Sequence, residues 1–256
     1  MVRPLRAIVP GVPVHIIQRG HNREQVFFGA DDALKYLGWL EESARRHGVT
    51  IHAYVLMPNH LHLLATPGRA ESLQRTMQQV GTRYAMYLND TRDRTGGLWK
   101  GRYRACPIES ERYMLACSRY IELNPVRAGL AKSPHDFRWS SYRHNVGERV
   151  DTLITSHPIY HALGSNADAR AKAYRALFDE AFSDATLQDI RAATNGGLPL
   201  GGRDFAAAMG RALGRSFEKR RRGRPPKPRL VPGKQRGPTP KAKPKARPAQ
   251  AKKRRK

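Results

Sequence analysis

Two histidines, His60 and His62, stand two residues apart in the run His60-Leu61-His62-Leu63-Leu64-Ala65-Thr66. The period of two in a β-strand would place both imidazoles on one face and Leu61 and Leu63 on the other. One face could then hold a metal ion while the opposite face packs. Two half-buried histidines at a sheet edge would leave the same pattern. His52, in the preceding apolar run, reads as ordinary packing or as solvent-facing. A second group is Arg119-Tyr120-Ile121-Glu122-Leu123-Asn124-Pro125. On a helix, Tyr120 and Asn124 are i and i+4 and therefore neighbours, which sets an amide oxygen beside a phenol. A half-buried aromatic followed by an Asn that closes the helix would look the same. Tyr113, seven residues before Tyr120, is the local rival for any role given to a phenol.

These groups need elements to carry them. Val12–Arg19 (VPVHIIQR) reads as a first strand, and residues 31–47 as an amphipathic helix with Leu34, Leu37, Trp39 and Leu40 among its apolar positions. Ile51–Leu56 and His60–Ala65 are β-prone runs on either side of Met57-Pro58-Asn59, whose Pro-Asn pair favours a turn, so a hairpin is expected. A second helix is expected from about 70 to 88, then the Gly-rich basic stretch TGGLWKGRYR, then a short strand over 105–109. Ser110 suits the N-cap of a third helix reaching Asn124, where Pro125 disfavours continuation. The order β-α-β-β-α-β-α is that of an α+β fold, a ferredoxin-like split βαβ antiparallel sheet with helices on one face, plus one extra helix. Residues 1–145 would form this domain. Residues 146–218 would form a helical extension, broken at Asn195-Gly196-Gly197, with Phe205, Met209 and Leu213 on one helix face. A helix-turn-helix would give the same signal there.

Charge bounds the partners. The 256 residues carry 47 Lys+Arg against 21 Asp+Glu, a formal net charge of +26. Eighteen of the basic residues and none of the acidic ones lie in 219–256, so the body, 1–218, keeps +8 and the tail is a polycation. A polyanionic partner follows, because each phosphate neutralised releases condensed counterions. The tail has too little apolar surface to offset the entropy of ordering, so disorder is expected there, and it lacks the apolar face of a membrane-surface helix. No apolar run reaches the roughly 18 residues of a membrane span, and Pro and Gly interrupt the N-terminus before a signal-peptide core could form. Two cysteines, Cys106 and Cys117, are too few for a disulfide framework; they read as buried thiols in a reducing cytosol.

Taken together, YVLMPNHLHLL at 54–64 and RYIELNPVRAGL at 119–130, with HIIQRGHNRE near the start and LPLGGRDF and RRRGRPPK near the end, resemble the single-tyrosine HUH transposases, and among them the REP-associated tyrosine transposases of bacteria. The likeness extends to about residue 228. It implies that His60 and His62 bind a metal ion, that Tyr120 is the nucleophile and that Asn124 is the third, polar ligand; some relatives have Gln there, one methylene longer. Two imidazoles and an amide oxygen suit Mg²⁺ or Mn²⁺ acting as Lewis acid and leave room for phosphate oxygens and water. A phenol with an ordinary pKa of about 10 needs a nearby cation or base to become a nucleophile at neutral pH.

The implied activity is that of a metal-dependent single-strand DNA endonuclease and strand-transferase, forming a 5′-phosphotyrosine on hairpin DNA of the palindromic-repeat type, in the bacterial cytoplasm at the nucleoid, as monomer or homodimer. Trp99, Tyr103, Arg102 and Arg104 could then supply stacking and phosphate contacts, although a core Trp and Tyr with solvated arginines would read the same. Arg222-Gly223-Arg224-Pro225 resembles an AT-hook, so Arg222 and Arg224 would enter the minor groove of duplex DNA. Two other functions fit the same sequence. One is a DNA-binding or architectural protein that no longer cuts, against which the intact His, His, Tyr and Asn set argues; the other is a His-based metallohydrolase that makes free 5′-phosphates.

Overall fold

The computed structural model describes residues 6–217, which fall within one compact unit. Four strands, β1 (Val14–Arg19), β2 (Val49–Met57), β3 (His60–Pro67) and β4 (Arg104–Pro107), pair in the order β2-β3-β1-β4. Every neighbouring pair is antiparallel. This is the split βαβ sheet expected from the order of elements. Helices α1 (Ala30–His47) and α2 (Ser72–Thr91) are its two crossovers. Pro58 and Asn59 form the hairpin turn, and the segment after β1 clamps it: Gly20 N–H donates to the Asn59 carbonyl at 2.9 Å and Val26 N–H to the Pro58 carbonyl at 2.7 Å. A side chain at Gly20 would collide with the Glu24 carbonyl at 2.4 Å, so the close approach requires glycine there.

The strand period sorts the sheet into two faces. Val14, Ile16, Leu61, Leu63, Ala65 and Leu56 join the core formed with α1 and α2, which includes Tyr36, Leu40, Val80 and Tyr84. Leu34 of α1 is left out of that core and is 52% exposed. The other face carries His15, His60 and His62 together with Val55, Met57, Leu64 and Cys106. It is covered by α3 (Ser110–Glu122) and by α8 (Asp184–Gly196), whose Tyr113, Met114, Cys117, Ile121, Ile190 and Ala193 form a second core. The sheet is thus sandwiched, with the crossover helices on the expected face and the extra helix and α8 on the other. Both cysteines are buried free thiols. Glu109, not Ser110, occupies the N-cap position of α3, without a side-chain cap bond; Ser110 already lies in the helix.

A short turn, α4 (Asn124–Arg127), follows α3, and the chain continues through α5 (Tyr142–Asn145), α6 (Pro158–His161), α7 (Ala167–Ala176), α8 and α9 (Arg203–Leu213). Helix α8 ends on Gly197 in the left-handed conformation (φ 62°), where the Asn-Gly-Gly triplet foretold a break. These later segments close both edges of the sheet. On the β2 side, Leu56 N–H donates to the Trp139 carbonyl at 2.9 Å and Thr155 N–H to the Ile51 carbonyl at 2.8 Å; on the β4 side, Leu200 N–H donates to the Pro107 carbonyl at 2.8 Å. An edge so covered cannot template pairing with another chain. Among the described residues no helix is long and apolar enough to cross a membrane.

The C-terminal end of α3 is pinned by a buried carboxylate. Glu122 Oε1 accepts from Ser141 Oγ at 2.5 Å and Asn145 Nδ2 at 2.8 Å, and Oε2 accepts from the Tyr174 hydroxyl at 2.8 Å. Burial pushes the carboxyl up to about 7 against the opposite pull of those three donors. Glu122→Ala would strand all three donors away from water. An expected loss of about 3 kcal/mol, at the upper end of ordinary point substitutions, should appear in urea denaturation, with Glu122→Gln recovering much of it.

Candidate active site

The histidine face of the sheet ends where β1 and β3 run past each other. Arg19 is paired with His60, and Ile17 with His62, so Arg19, His60 and His62 project to the same side. The ring centroids of His60 and His62 are 5.1 Å apart. Each ring is held through Nδ1. His60 Nδ1 lies 2.6 Å from Asn59 Oδ1, and Asn59 is itself oriented by donating from Nδ2 to the Arg23 carbonyl at 3.1 Å. The Asn59 oxygen can only accept, so His60 Nδ1 donates and its Nε2 keeps a lone pair. His62 Nδ1 is engaged by His15 Nε2 at 2.8 Å, and the two rings stack with centroids 5.1 Å apart.

Burial, and secondarily the charge of Arg19, hold His60 down to about 4; burial also holds His62 well below its ordinary value, with the neighbouring His15, His60, Arg127 and Arg19 adding to it. Both imidazoles are neutral at physiological pH, which is the form that can ligate a metal. The donor chemistry therefore fits a divalent ion at the His60–His62 pair. Among the described residues no group of three or more His, Cys, Asp or Glu is arranged to hold a metal ion, so any ion would lean on these two nitrogens and on neutral oxygens.

Tyr120 joins them from above. It sits in the last turn of α3, 9% exposed, with its ring edge-on to His62 at 6.0 Å and to His15 at 5.8 Å between centroids. The rival Tyr113 packs into the second core against Arg112 and makes no ring contact with a histidine among the described residues. Asn124 lies just beyond α3 rather than at its end. Helix α3 stops at Glu122, Leu123 has φ −83° and ψ 0°, and Asn124 opens α4, half-buried. Its amide makes no hydrogen bond to His60, His62 or Tyr120 among the described residues. The Tyr120 carbonyl, which a continuing helix would offer to the Asn124 N–H, accepts instead from the Arg127 guanidinium at 2.5 Å. That guanidinium also lies 4.2 Å above the Tyr120 ring, in cation–π contact.

Arg127 and Arg19 are the members of the site that spacing alone did not single out. Arg127 is written in the same motif as Tyr120, but seven residues on, and its guanidinium lies over the ring. Among the described residues neither arginine is ion-paired, so positive charge faces the imidazoles without a carboxylate to neutralise it. The remaining expectations divide. His52 is an ordinary structural residue, bonded to the Thr155 carbonyl at 2.7 Å and Thr66 Oγ1 at 2.9 Å. Trp99 is a core residue whose indole N–H donates to the Gly81 carbonyl at 3.0 Å, and Tyr103 is 8% exposed under the Arg6 guanidinium. Arg102 is exposed; Arg104 is exposed too but tied to Asn195 Oδ1 at 2.7 Å. Arg222 and Arg224 lie outside the described residues.

Comparison with known proteins bears on the fold. The structure of a REP-associated tyrosine transposase bound to a REP hairpin matches with a TM-score of 0.50 and 17% identity, over 62% of this chain and 93% of that one; the likeness is one of fold. A protein of Deinococcus radiodurans R1 provisionally assigned as a transposase matches at 23% identity and a TM-score of 0.34, over 47% of this chain and 96% of that one. No curated protein sequence matches. The family model for IS200-like transposases matches residues 8–124, from just before β1 to Asn124. Residues 8–124, which carry His60, His62 and Tyr120, are thus the part of this chain that is similar to the IS200-like transposases.

Proposed function

We propose that the chain is a metal-dependent endonuclease and strand-transferase for single-stranded hairpin DNA, with Tyr120 as nucleophile and His60, His62 and Asn124 as the residues that would hold Mg²⁺ or Mn²⁺. The observation that carries this reading is the setting of the Tyr120 ring against His62, 6.0 Å between centroids, beside a pair of neutral imidazoles. A divalent ion bound there supplies Lewis acidity to phosphate oxygens. The chain's own residues do the rest. Arg19 and Arg127 offer unpaired positive charge to a scissile phosphate, with the charge-assisted bonds that guanidinium groups make to phosphate. The Tyr120 oxygen forms a bond to phosphorus while the bond to the 3′-oxygen breaks, leaving a 5′-phosphotyrosine and a free 3′-hydroxyl. The phosphodiester energy is kept, so a second 3′-hydroxyl can reverse the step without ATP. That the fold neighbour is bound to a REP hairpin supports a hairpin substrate.

The test is a labelled single-stranded hairpin incubated with the protein and Mn²⁺, then resolved under denaturing conditions. A covalent protein–DNA adduct is expected. Free 5′-phosphate ends without adduct would indicate a metallohydrolase, and binding without cleavage an architectural role.

The basic tail, 219–256, is proposed to hold duplex DNA, through phosphate contacts and through Arg222 and Arg224 in the minor groove. Each phosphate neutralised contributes a slope of about −0.9 in log K against log salt. Removing 219–256 is expected to flatten the measured slope by several units while leaving the cleavage position on a hairpin unchanged, since phosphate contacts carry no sequence information. An unchanged slope would assign binding to the body alone.

A further inference from the structure

The bond between His62 and His15 has a direction, and the direction is fixed from outside residues 8–124. Thr194 lies in α8, 70 residues beyond the matched segment, and is 2% exposed. Its hydroxyl donates to the Ile190 carbonyl one turn back, at 2.6 Å. A hydroxyl has one proton, and a carbonyl can only accept, so that proton is committed. Toward His15 Nδ1, 3.0 Å away, Thr194 Oγ1 must therefore accept. His15, fully buried and with no carboxylate bonded to it among the described residues, is a neutral imidazole with a single N–H. That N–H is on Nδ1, which leaves Nε2 as an acceptor. His62 Nδ1, 2.8 Å from it, must then donate.

We infer that Thr194 and His15 are positioning residues that lock His62 in its Nδ1–H tautomer, so that the Nε2 lone pair faces the site. The chain of donors runs from His62 through His15 and Thr194 to the Ile190 carbonyl and cannot be reversed while the hydroxyl stays on that carbonyl. Successive hydrogen bonds polarise one another, which makes the free nitrogen of His62 a better ligand. His60 reaches the same tautomer independently, through Asn59. The helical extension therefore completes the site chemically as well as covering it. The usefulness of this tautomer rests on the ligand role proposed for His62; the tautomer itself does not.

The experiment reads the tautomer directly. In metal-free full-length protein, long-range ¹⁵N–¹H NMR of the imidazoles should show His62 protonated at Nδ1 and bare at Nε2, and His15 likewise. Thr194→Val, isosteric but without the hydroxyl, should shift His62 toward the Nε2–H form and weaken Mn²⁺ binding by roughly 10-fold or more, as loss of such an outer partner does elsewhere. Thr194→Ser should restore both. A wild-type His62 carrying its proton on Nε2, or a Thr194→Val protein with an unchanged His62 tautomer, overturns the inference. The expected tautomers with no Mn²⁺ binding at all would uphold the relay and overturn only the ligand role.

Discussion

Tyr120→Phe is expected to abolish the covalent DNA adduct and to leave hairpin affinity within a few-fold of wild type. The substitution removes one oxygen, together with its side-chain interaction with Arg127. The ring keeps its edge contacts with His15 and His62 at 5.8 and 6.0 Å, and Arg127 keeps its position over the ring and its bond to the Tyr120 carbonyl, losing only its side-chain interaction with the phenolic oxygen. The fold should therefore survive, and a change in melting beyond a few degrees would mean that the variant is not the clean test intended. Covalent catalysis has no substitute at this position, since the nucleophile's oxygen is the atom that bonds to phosphorus. The adduct should fall below detection on a denaturing gel with labelled hairpin and Mn²⁺. Adduct that persists would move the nucleophile elsewhere, and Tyr113 would be tested next despite its place in the second core.

The parts of the molecule legible in the sequence are those set by local periodicity and turn chemistry. The alternation in HLHLLAT places His60 and His62 on one face whatever the rest of the chain does, and Pro58-Asn59 fixes where the hairpin turns. The order of elements then leaves few ways to arrange four antiparallel strands. What escaped was of two kinds. One was a helix end: α3 stops at Glu122 rather than at Asn124, although Leu123 keeps right-handed helical dihedrals between Tyr120 and Asn124. Pro125 announced that end, but not that Arg127 would lie over the Tyr120 ring.

The other kind was long-range. His15 meets Thr194 across 179 residues, and Glu122 meets Tyr174 across 52. Nothing in the composition of α8 distinguishes Thr194 from any helical threonine, so its role depends on where the helix docks. Trp99 and Tyr103 show the reverse case: aromatic residues among arginines in a Gly-rich stretch read as a stacking surface, yet the Trp99 indole N–H is satisfied within the fold and Tyr103 is 8% exposed. His52 was separable from His60 and His62 because it stands alone on its strand, and its two bonds to Thr155 and Thr66 account for it fully.

His60→Ala and His62→Ala should each reduce single-turnover cleavage by about 10³-fold, and the double variant should be little worse than either. The Lewis-acid contribution of a bound divalent ion is several kcal/mol, and each 1.36 kcal/mol is a factor of ten in rate. Both neutral imidazoles would be needed to hold one ion at a site where, among the described residues, no carboxylate is placed to bind it, so the first loss removes most of what the second could. Groups that act as a unit are non-additive in this way. EDTA should give the same loss in wild type and almost none beyond it in the double variant. Hairpin binding at low salt should persist in all three variants, because Arg19, Arg127 and the basic tail remain. His52→Gln is the matched control: it removes a buried histidine of the same sheet, whose ties are to Thr155 and Thr66, and should leave cleavage at the wild-type rate. Additive losses of His60 and His62 would mean that they serve separate steps, and full cleavage in EDTA would remove the metal from the reaction and leave the two imidazoles, neutral and beside the phenol, to be tested as general bases for Tyr120.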